Sequence, residues 1–346
     1  AVSFDVENAD VDRRTASLSL PLDLSGKRSA RTARSVAEFE VSDADYTLVR
    51  REVAARWLKA WTAAELSARQ REWGMRRVVL MQRFDALAAD RLKLGDINSP
   101  ERDLAGLALG EAQIQQASLA GNEAAARAAL LALTGGDTPT AVVLPQRLPE
   151  PQGISPRAIE DLPELRKARA EQDAAEAGIQ IAQRARRPDP TIALTGGRVR
   201  SGPISDRVIG LSVSIPLPVL NTGRAEIDAA RAQAEAAAAG TRTRALSMRA
   251  RLLEARARYV ALYDAESAFR AGRSAAFDER AALLEKLWRA GEIGTSDYLV
   301  QLKQSLDTAL SGLELQAQAW QAWFDYLQAA GRLTDWIDGD SKDSAP

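Results

Sequence analysis

The sequence predicts a mainly α-helical protein in which two short β-hairpins each lead into a very long helical hairpin. Residues 16–24 and 207–217 alternate apolar with small or polar side chains, which predicts strands with one apolar face. Each stretch precedes a proline-free segment rich in Ala, Arg, Glu and Leu that predicts one continuous helix of roughly 100 Å at ~1.5 Å per residue. The two copies repeat at an offset of about 195 residues, since Pro21 corresponds to Pro216 and Gly95 to Gly291, which indicates an internal duplication.

Composition excludes several classes of function. The chain has 46 basic and 47 acidic residues in 346. It therefore lacks the excess of positive charge that would indicate a nucleic-acid partner. It has neither cysteine nor histidine, which removes disulfides, thiol nucleophiles, the usual zinc sites and imidazole catalysis. We therefore predict no enzyme activity, no metal site and no cofactor. No apolar run approaches the ~20 residues of a membrane helix, so a membrane, if it is crossed, is crossed by strands.

The first repeat, 1–134, begins with a strand at 2–6 and a polar turn at 7–14. The next strand, 16–24, has leucines on one face and Ser17, Ser19 and Asp23 on the other. A long helix follows from Gly26 and a returning helix occupies 100–134. The leucine face of this second strand consists of Leu18, Leu20, Leu22 and Leu24.

A connector rich in proline and glycine, 135–161, separates this repeat from the second, 162–331, and a polar tail, 332–346, ends the chain. In the second repeat, the sequence predicts a helix at 162–186, a strand at 191–200, a turn at 201–206 and a strand at 207–217. A long helix to Gly291 and a returning helix at 296–331 complete it. By the duplication, a helix like 162–186 is expected before Val2, so we expect a further segment upstream of Ala1.

The two helix-reversing turns have related sequences, Leu94-Gly-Asp-Ile-Asn-Ser-Pro-Glu101 and Ala290-Gly-Glu-Ile-Gly-Thr-Ser-Asp297. Both predict a helix that stops on glycine and restarts on a Ser, Thr or Asn cap, with Pro100 in the first turn. Turn chemistry explains the glycines and caps. The carboxylates have a second interpretation, because acids around a narrow opening favour cations.

The strands permit two interpretations. Segments of about ten residues suit transmembrane β-strands, which need ~9–11. The same alternation suits a small soluble sheet that is half buried against helices. Four strands cannot close a barrel, and open edges in lipid leave backbone groups without hydrogen bonds, so the membrane interpretation requires further copies of the chain.

The repeated order of strand, turn, strand, long helix, glycine turn and shorter helix resembles the TolC-like outer-membrane efflux proteins over the whole chain. Three stretches are similar to the heavy-metal (CzcC-like) branch: Leu162-Pro-Glu-Leu-Arg-Lys-Ala-Arg169, Arg187-Pro-Asp-Pro-Thr-Ile-Ala-Leu194 and the stretch from Val208 to Asn221. The resemblance implies a homotrimer whose chains share one transmembrane β-barrel in the outer-membrane lipid. It also implies a periplasmic helical barrel that meets an adaptor (membrane fusion) protein and an inner-membrane pump.

The resemblance also implies roles for particular residues. The two turns would form the periplasmic tip, where the aperture and the adaptor-docking surface lie. A departure occurs at Ile293, where the family's best-known channel has an arginine that helps to close the pore. The tip residues are Gly95, Ile97, Glu101, Gly291, Ile293 and Asp297. The barrel residues facing the lumen are Ser17, Ser19, Gly210, Ser212 and Ser214, and those facing lipid are Leu18, Leu20, Leu22, Ile209, Leu211, Val213 and Ile215.

These expectations lead to two functions. The first is a passive outer-membrane exit duct of a tripartite efflux system that conducts small solutes, with heavy-metal cations as a candidate class. The alternative is a periplasmic structural or adaptor coiled-coil protein with a small soluble sheet.

Overall fold

The computed structural model describes residues 2–8, 11–136, 144–153, 159–201, 204–216, 222–273 and 277–334. The predicted fold class, mainly α with short β, is confirmed. In chain order the elements are β1 (Val2–Asn8), β2 (Val11–Pro21), α1 (Lys27–Leu94), α2 (Ser99–Thr134), α3 (Pro163–Ala185), β3 (Thr191–Ser201), β4 (Ile204–Ser214), α4 (Arg224–Arg273), α5 (Phe277–Arg289) and α6 (Thr295–Ala330).

The first long helix is confirmed as one element, because α1 runs unbroken for 68 residues. The second is described in two parts, α4 and α5. Residues 274–276 between them lie outside the described residues, so the continuity of this helix stays a prediction. In the part of the chain that the structure describes, no helix combines the length and the apolar character that crossing a membrane would need.

The strand boundaries correct the sequence-based prediction. β2 begins at Val11, inside the predicted polar turn 7–14, and ends at Pro21 rather than Leu24. β4 begins at Ile204, inside the predicted turn 201–206, while position 217 of the predicted strand lies outside the described residues. The physical reason is that backbone pairing extends the strands through polar residues, as where Thr15 pairs with Asp5 and with Gly197. Apolar alternation marks only the part of a strand that has an apolar face.

The two β-hairpins join in one antiparallel sheet of order β1-β2-β3-β4. Its register places Leu18 opposite Leu194 and Leu194 opposite Leu211. Because side chains alternate between the two faces of a sheet, all positions of one face are set by this register.

The sheet belongs to a compact unit formed by Ala1–Leu48 and Glu160–Ser247. Its helices pack through small side chains, with Ala37 and Ala44 of α1, Ala168 of α3 and Ala234 of α4 all buried. At the start of α1, the Asp23 carboxylate accepts hydrogen bonds from the backbone N–H groups of Arg28 at 2.5 Å and Lys27 at 2.9 Å. These bonds, that of Arg28 first, hold the pKa of Asp23 below its usual value. Asp23 thus caps a helix instead of continuing a strand.

The other compact unit consists of Val49–Ile159 and Met248–Pro346. Aromatic residues, among them Tyr259, Trp320 and Phe324, form its larger apolar core. The connector takes part, because Leu144 and Leu148 are buried in this core and the Tyr326 hydroxyl donates to the Gln152 carbonyl at 2.5 Å. The two units do not coincide with the two sequence repeats, since each takes part of both; the repeat boundaries stay a prediction.

Candidate functional site

The turn after α1 is a Schellman motif centred on Gly95. Gly95 has φ +79°, and its N–H donates to the Leu92 carbonyl at 3.1 Å. The next N–H, that of Asp96, reaches back to the Arg91 carbonyl at 2.9 Å. A left-handed conformation favours glycine because a Cβ there is strained, so the predicted helix stop at Gly95 has its expected geometry.

Helix α2 restarts with a capping box. The Asn98 side chain accepts from the Glu101 N–H at 2.9 Å, and the Glu101 carboxylate accepts from the Asn98 N–H at 3.1 Å. Pro100 lies in the first helical turn, where its missing N–H removes no helical bond. The Glu101 carboxylate is therefore already bound within its own turn, which accounts for this acid without an aperture.

The turn after α5 repeats the helix stop. Gly291 has φ +75°, its N–H donates to the Trp288 carbonyl at 3.0 Å, and the N–H of Glu292 reaches the Leu287 carbonyl at 3.0 Å. The restart differs. The N-cap of α6 is Gly294, which has no side chain to bond, so the predicted Ser, Thr or Asn cap is right for α2 and wrong for α6.

The Thr295 side chain binds Trp288 instead of capping the helix. Thr295 is buried inside the first turn of α6, and its hydroxyl accepts a hydrogen bond from Nε1 of Trp288 at 3.2 Å. Asp297 is exposed in the same turn. A carboxylate there is favoured by the partial positive charge of a helix N-terminus.

An aromatic cluster lies against both turns. Trp288 is only 1% exposed, and its ring centroid lies 4.7 Å from that of Phe84 and 5.5 Å from that of Tyr298. Ile97 and Ile293 are half-buried and pack on this cluster. Burial raises the pKa of Tyr298 to about 12. The two isoleucines at matching positions are thus apolar anchors that hold each turn to a shared core.

Arg91 connects the two helical hairpins. Its Nη1 donates to the Trp288 carbonyl at 3.0 Å, and its guanidinium lies over the Trp288 ring, 4.9 Å from the centroid. Its Nε lies 3.8 Å from the Asp96 carboxylate. A cation here satisfies a carbonyl in the last turn of α5, where the helix dipole also favours positive charge. Sequence reasoning missed Arg91 and Trp288; the available signal was a tryptophan one turn before the second glycine.

A polar network also missed by sequence reasoning joins α1, α2 and α6. The Arg77 side chain is 5% exposed and donates to the Asp307 carboxylate at 3.1 Å and to the Gln115 side chain. Lys303 of α6 pairs with Glu111 of α2. The hydrogen bond from Lys303 holds the pKa of Glu111 below its usual value. A buried arginine needs such partners, since an unpaired buried charge costs several kcal/mol.

The sheet separates the two predicted sets of barrel residues onto opposite faces. Ser17, Thr195 and Gly210 lie in one row across three strands, and Leu18, Leu194 and Leu211 form the adjacent row on the other face. The apolar face is exposed, with Leu18 58%, Leu211 73% and Ile209 83% accessible. Ser19, Ser212 and Ser214 belong to the small-residue face, and Leu20, Ile209 and Val213 to the apolar face; Leu22 and Ile215 directly follow their strands.

Comparisons with known proteins agree with this geometry. The outer membrane efflux protein family matches residues 4–136 and 154–332. The cobalt-zinc-cadmium resistance protein CzcC of Cupriavidus metallidurans is 26% identical over 223 residues, which cover 62% of this chain and 52% of CzcC. The chain therefore spans about half the length of this curated relative.

Solved structures show the same fold. The CusC structure superposes with a TM-score of 0.82 at 18% sequence identity. The match covers 95% of this chain and 81% of the CusC chain. The CmeC outer membrane channel of Campylobacter jejuni has a TM-score of 0.79 at 14% identity, with coverage of 99% and 80%. The predicted TolC-like fold and outer-membrane location are confirmed, and the chain belongs to the outer membrane efflux protein family.

Proposed function

We propose that the chain forms the outer-membrane exit channel of a tripartite efflux system and conducts small solutes passively. The main observation in support of this proposal is the exposed apolar face of the sheet, which no described part of the chain covers. An exposed apolar patch on a sheet marks a lipid or protein contact, and in this family the outer membrane supplies the lipid. The opposite face, with its serines and glycines, then faces a water-filled lumen.

The sheet requires further copies of the chain. Its order leaves β1 and β4 as edge strands, and an open edge in hydrocarbon leaves unpaired N–H and C=O groups that each cost several kcal/mol. Pairing β4 of one copy with β1 of the next removes both edges. We therefore propose a homotrimer with a closed barrel, which is the assembly that the resemblance implies.

Heavy-metal cations are the proposed solutes. The support is the similarity to a protein named for cobalt, zinc and cadmium resistance, together with a small-residue face that carries the side-chain hydroxyl groups of serines and threonines. Such weak oxygen ligands allow an ion to enter and to leave, as conduction demands.

The two turns are the proposed aperture and docking tip for a periplasmic adaptor and an inner-membrane pump. Asp297 is the better candidate for an aperture carboxylate, because Glu101 is held in its capping box. Replacing Asp297→Asn should lower the cation preference of single channels in a planar bilayer, while Glu101→Gln, which retains a capping side chain, should leave it unchanged. Equal behaviour of the two variants would remove Asp297 from the aperture.

An arginine scan of β4 tests the membrane assignment. Leu211→Arg should impair insertion into lipid by about 2–4 kcal/mol near the bilayer midplane, because the charge would face hydrocarbon. Ser212→Arg, one residue away on the other face, is the matched control and should insert normally while altering conductance. The measurement is the fraction of heat-resistant trimer that folds into vesicles.

The alternative function, a periplasmic coiled-coil protein with a soluble sheet, gives the opposite outcome. Both arginine variants would then fold equally well, and the protein would stay monodisperse without detergent.

A further inference from the structure

Three arginines form a row across neighbouring strands of the sheet. Arg14 of β2 lies directly opposite Arg198 of β3, and Arg198 lies opposite Arg207 of β4. All three side chains are exposed. Because adjacent strands are ~4.8 Å apart, the row places three guanidinium groups across roughly 10 Å of one face.

The arginine row lies on the apolar face, at its border. The register places the row Ala16–Gly196–Ile209 next to it, and the Leu18–Leu194–Leu211 row one step further. Rows of one face are ~6.7 Å apart, so the apolar rows from Ile209 to Ile215 span about 20 Å, close to the ~25 Å apolar band of outer-membrane barrels. The arginines therefore lie where such a band meets water.

The arginine row lies near one particular end of the sheet. It lies toward the turn between β3 and β4, whereas β2 leads into α1 and β3 follows α3 at the opposite end. If the helices are periplasmic, as the proposed function requires, the arginines lie at the outer-leaflet side of the membrane.

The row brings like charges together. Like charges directly opposite each other destabilise a sheet. Arg200 adds a further cation in the next row, where Asp12 is its register partner, while Asp206 lies on the other face opposite Val199. A bound anion would lower the repulsion within the arginine row.

We propose that the arginine row binds the phosphate groups of lipids in the outer leaflet of the outer membrane. Guanidinium groups bind phosphate through paired N–H donors, and they combine this with apolar stems suited to a membrane interface. The inference rests on the proposed function, because only a barrel in the outer membrane brings this border to lipid headgroups. The bound lipids would fix the depth and tilt of the barrel.

The experiment compares lipid binding by native mass spectrometry of the full chain in detergent. The probes are lipid A with its phosphates, the same glycolipid without phosphates, and inorganic phosphate. The test variant is Arg14→Gln/Arg198→Gln/Arg207→Gln. The control, Arg242→Gln/Arg244→Gln/Arg249→Gln, removes the same charge from exposed positions of α4.

The native protein and the control should bind phosphorylated lipid A on the order of a hundredfold more tightly than the test variant, since each cation near an anionic surface contributes roughly fivefold. The dephosphorylated lipid should bind all three proteins alike. Equal binding of phosphorylated lipid A by test variant and control would overturn the inference. Displacement of the lipid by millimolar inorganic phosphate would assign the row to free anions and overturn the lipid assignment.

Failure of this inference is distinguishable from failure of the proposed function. The same preparations are inserted into bilayers of neutral lipid and their conductance is recorded. Channels without a preference for phosphorylated lipid reject only the arginine row, whereas a folded trimer that forms no channels rejects the function itself. Trimer size and helix content by circular dichroism establish that each variant has folded.

Discussion

The turns at Gly95 and Gly291 end their helices with the same pair of backbone hydrogen bonds and begin the next helices by different means. After Gly95, the side chains of Asn98 and Glu101 satisfy the first N–H groups of α2. After Gly291, the N-cap is a glycine, and the turn is held instead by the hydrogen bond from Trp288 to Thr295 and by Arg91 from the other hairpin.

This difference separates local from tertiary stabilisation. The first turn is encoded by residues within it, because a capping box needs only the right side chains at fixed spacing. The second depends on a buried tryptophan and on an arginine distant in the sequence. A movement of one hairpin against the other would therefore disturb the second turn first.

Replacing Trp288 should have the largest effect on the difference between the two turns. Trp288→Ala leaves a cavity among Phe84 and Tyr298 and deletes the bond to Thr295, so we expect a loss of about 3–5 kcal/mol. Hydrogen exchange should accelerate through 287–298 more than through 94–102. The control is Trp73→Ala, a half-buried tryptophan of α1, with a smaller loss. Equal acceleration at both turns would show that the first turn is not locally encoded.

The glycines should respond alike. Gly95→Ala and Gly291→Ala each force a Cβ into a left-handed backbone, at about 1–2 kcal/mol. A Cβ at either position meets nothing within 4 Å, so strain alone sets the cost. Gly110→Ala inside α2 also meets nothing and should stabilise by about 0.5–1 kcal/mol. Denaturant unfolding measures all three, and unequal losses at the two turns would refute the shared geometry.

The caps should respond differently. Asn98→Ala should cost about 1 kcal/mol, because the capping hydrogen bond is lost. Gly294→Ser should instead stabilise α6 by roughly a few tenths of a kcal/mol, since it supplies the missing cap. Space is available there, because a Cβ at Gly294 would lie 3.7 Å from the Asp297 carboxylate. Exchange rates of the amides 99–102 and 295–298 report each change, and a destabilising Gly294→Ser would contradict our account.

The smallest expected effect is on pH dependence. The hydrogen bond from Lys303 lowers the pKa of Glu111 in the folded chain, so this pair stabilises the link between α2 and α6 at a pH above the ordinary pKa of a glutamate. The stabilisation is lost as the pH falls through the lowered pKa, and it amounts to less than about 1 kcal/mol because both groups are exposed. Glu111→Gln should remove this part of the acid sensitivity in denaturation midpoints at pH 7 and pH 3, with Glu65→Gln as the control. Unchanged acid sensitivity would mean that the pair contributes nothing.

Sequence reasoning found the helix stops, since a glycine between a long apolar pattern and a cap has few other uses. For the same local reason it placed Pro100 in the first turn of α2 and expected a Ser, Thr or Asn cap, which Asn98 provides. It missed where β2 and β4 begin, because strand pairing through Arg14 and Arg207 depends on backbone partners in other strands. It missed Arg91 for a related reason, as the carbonyl that it binds belongs to Trp288.

The sequence by itself determined the periodic features of this protein: the proline-free helices, the left-handed glycines, the capping box at Asn98 and the alternation that sorts Ser212 from Leu211. These depend on intervals of a few residues, which a sequence displays directly. Only the tertiary structure decided that Trp288 joins the two hairpins and that Arg14, Arg198 and Arg207 lie in one row. Such contacts join residues far apart in the chain, and their geometry exists only once the strands have paired and the helices have packed.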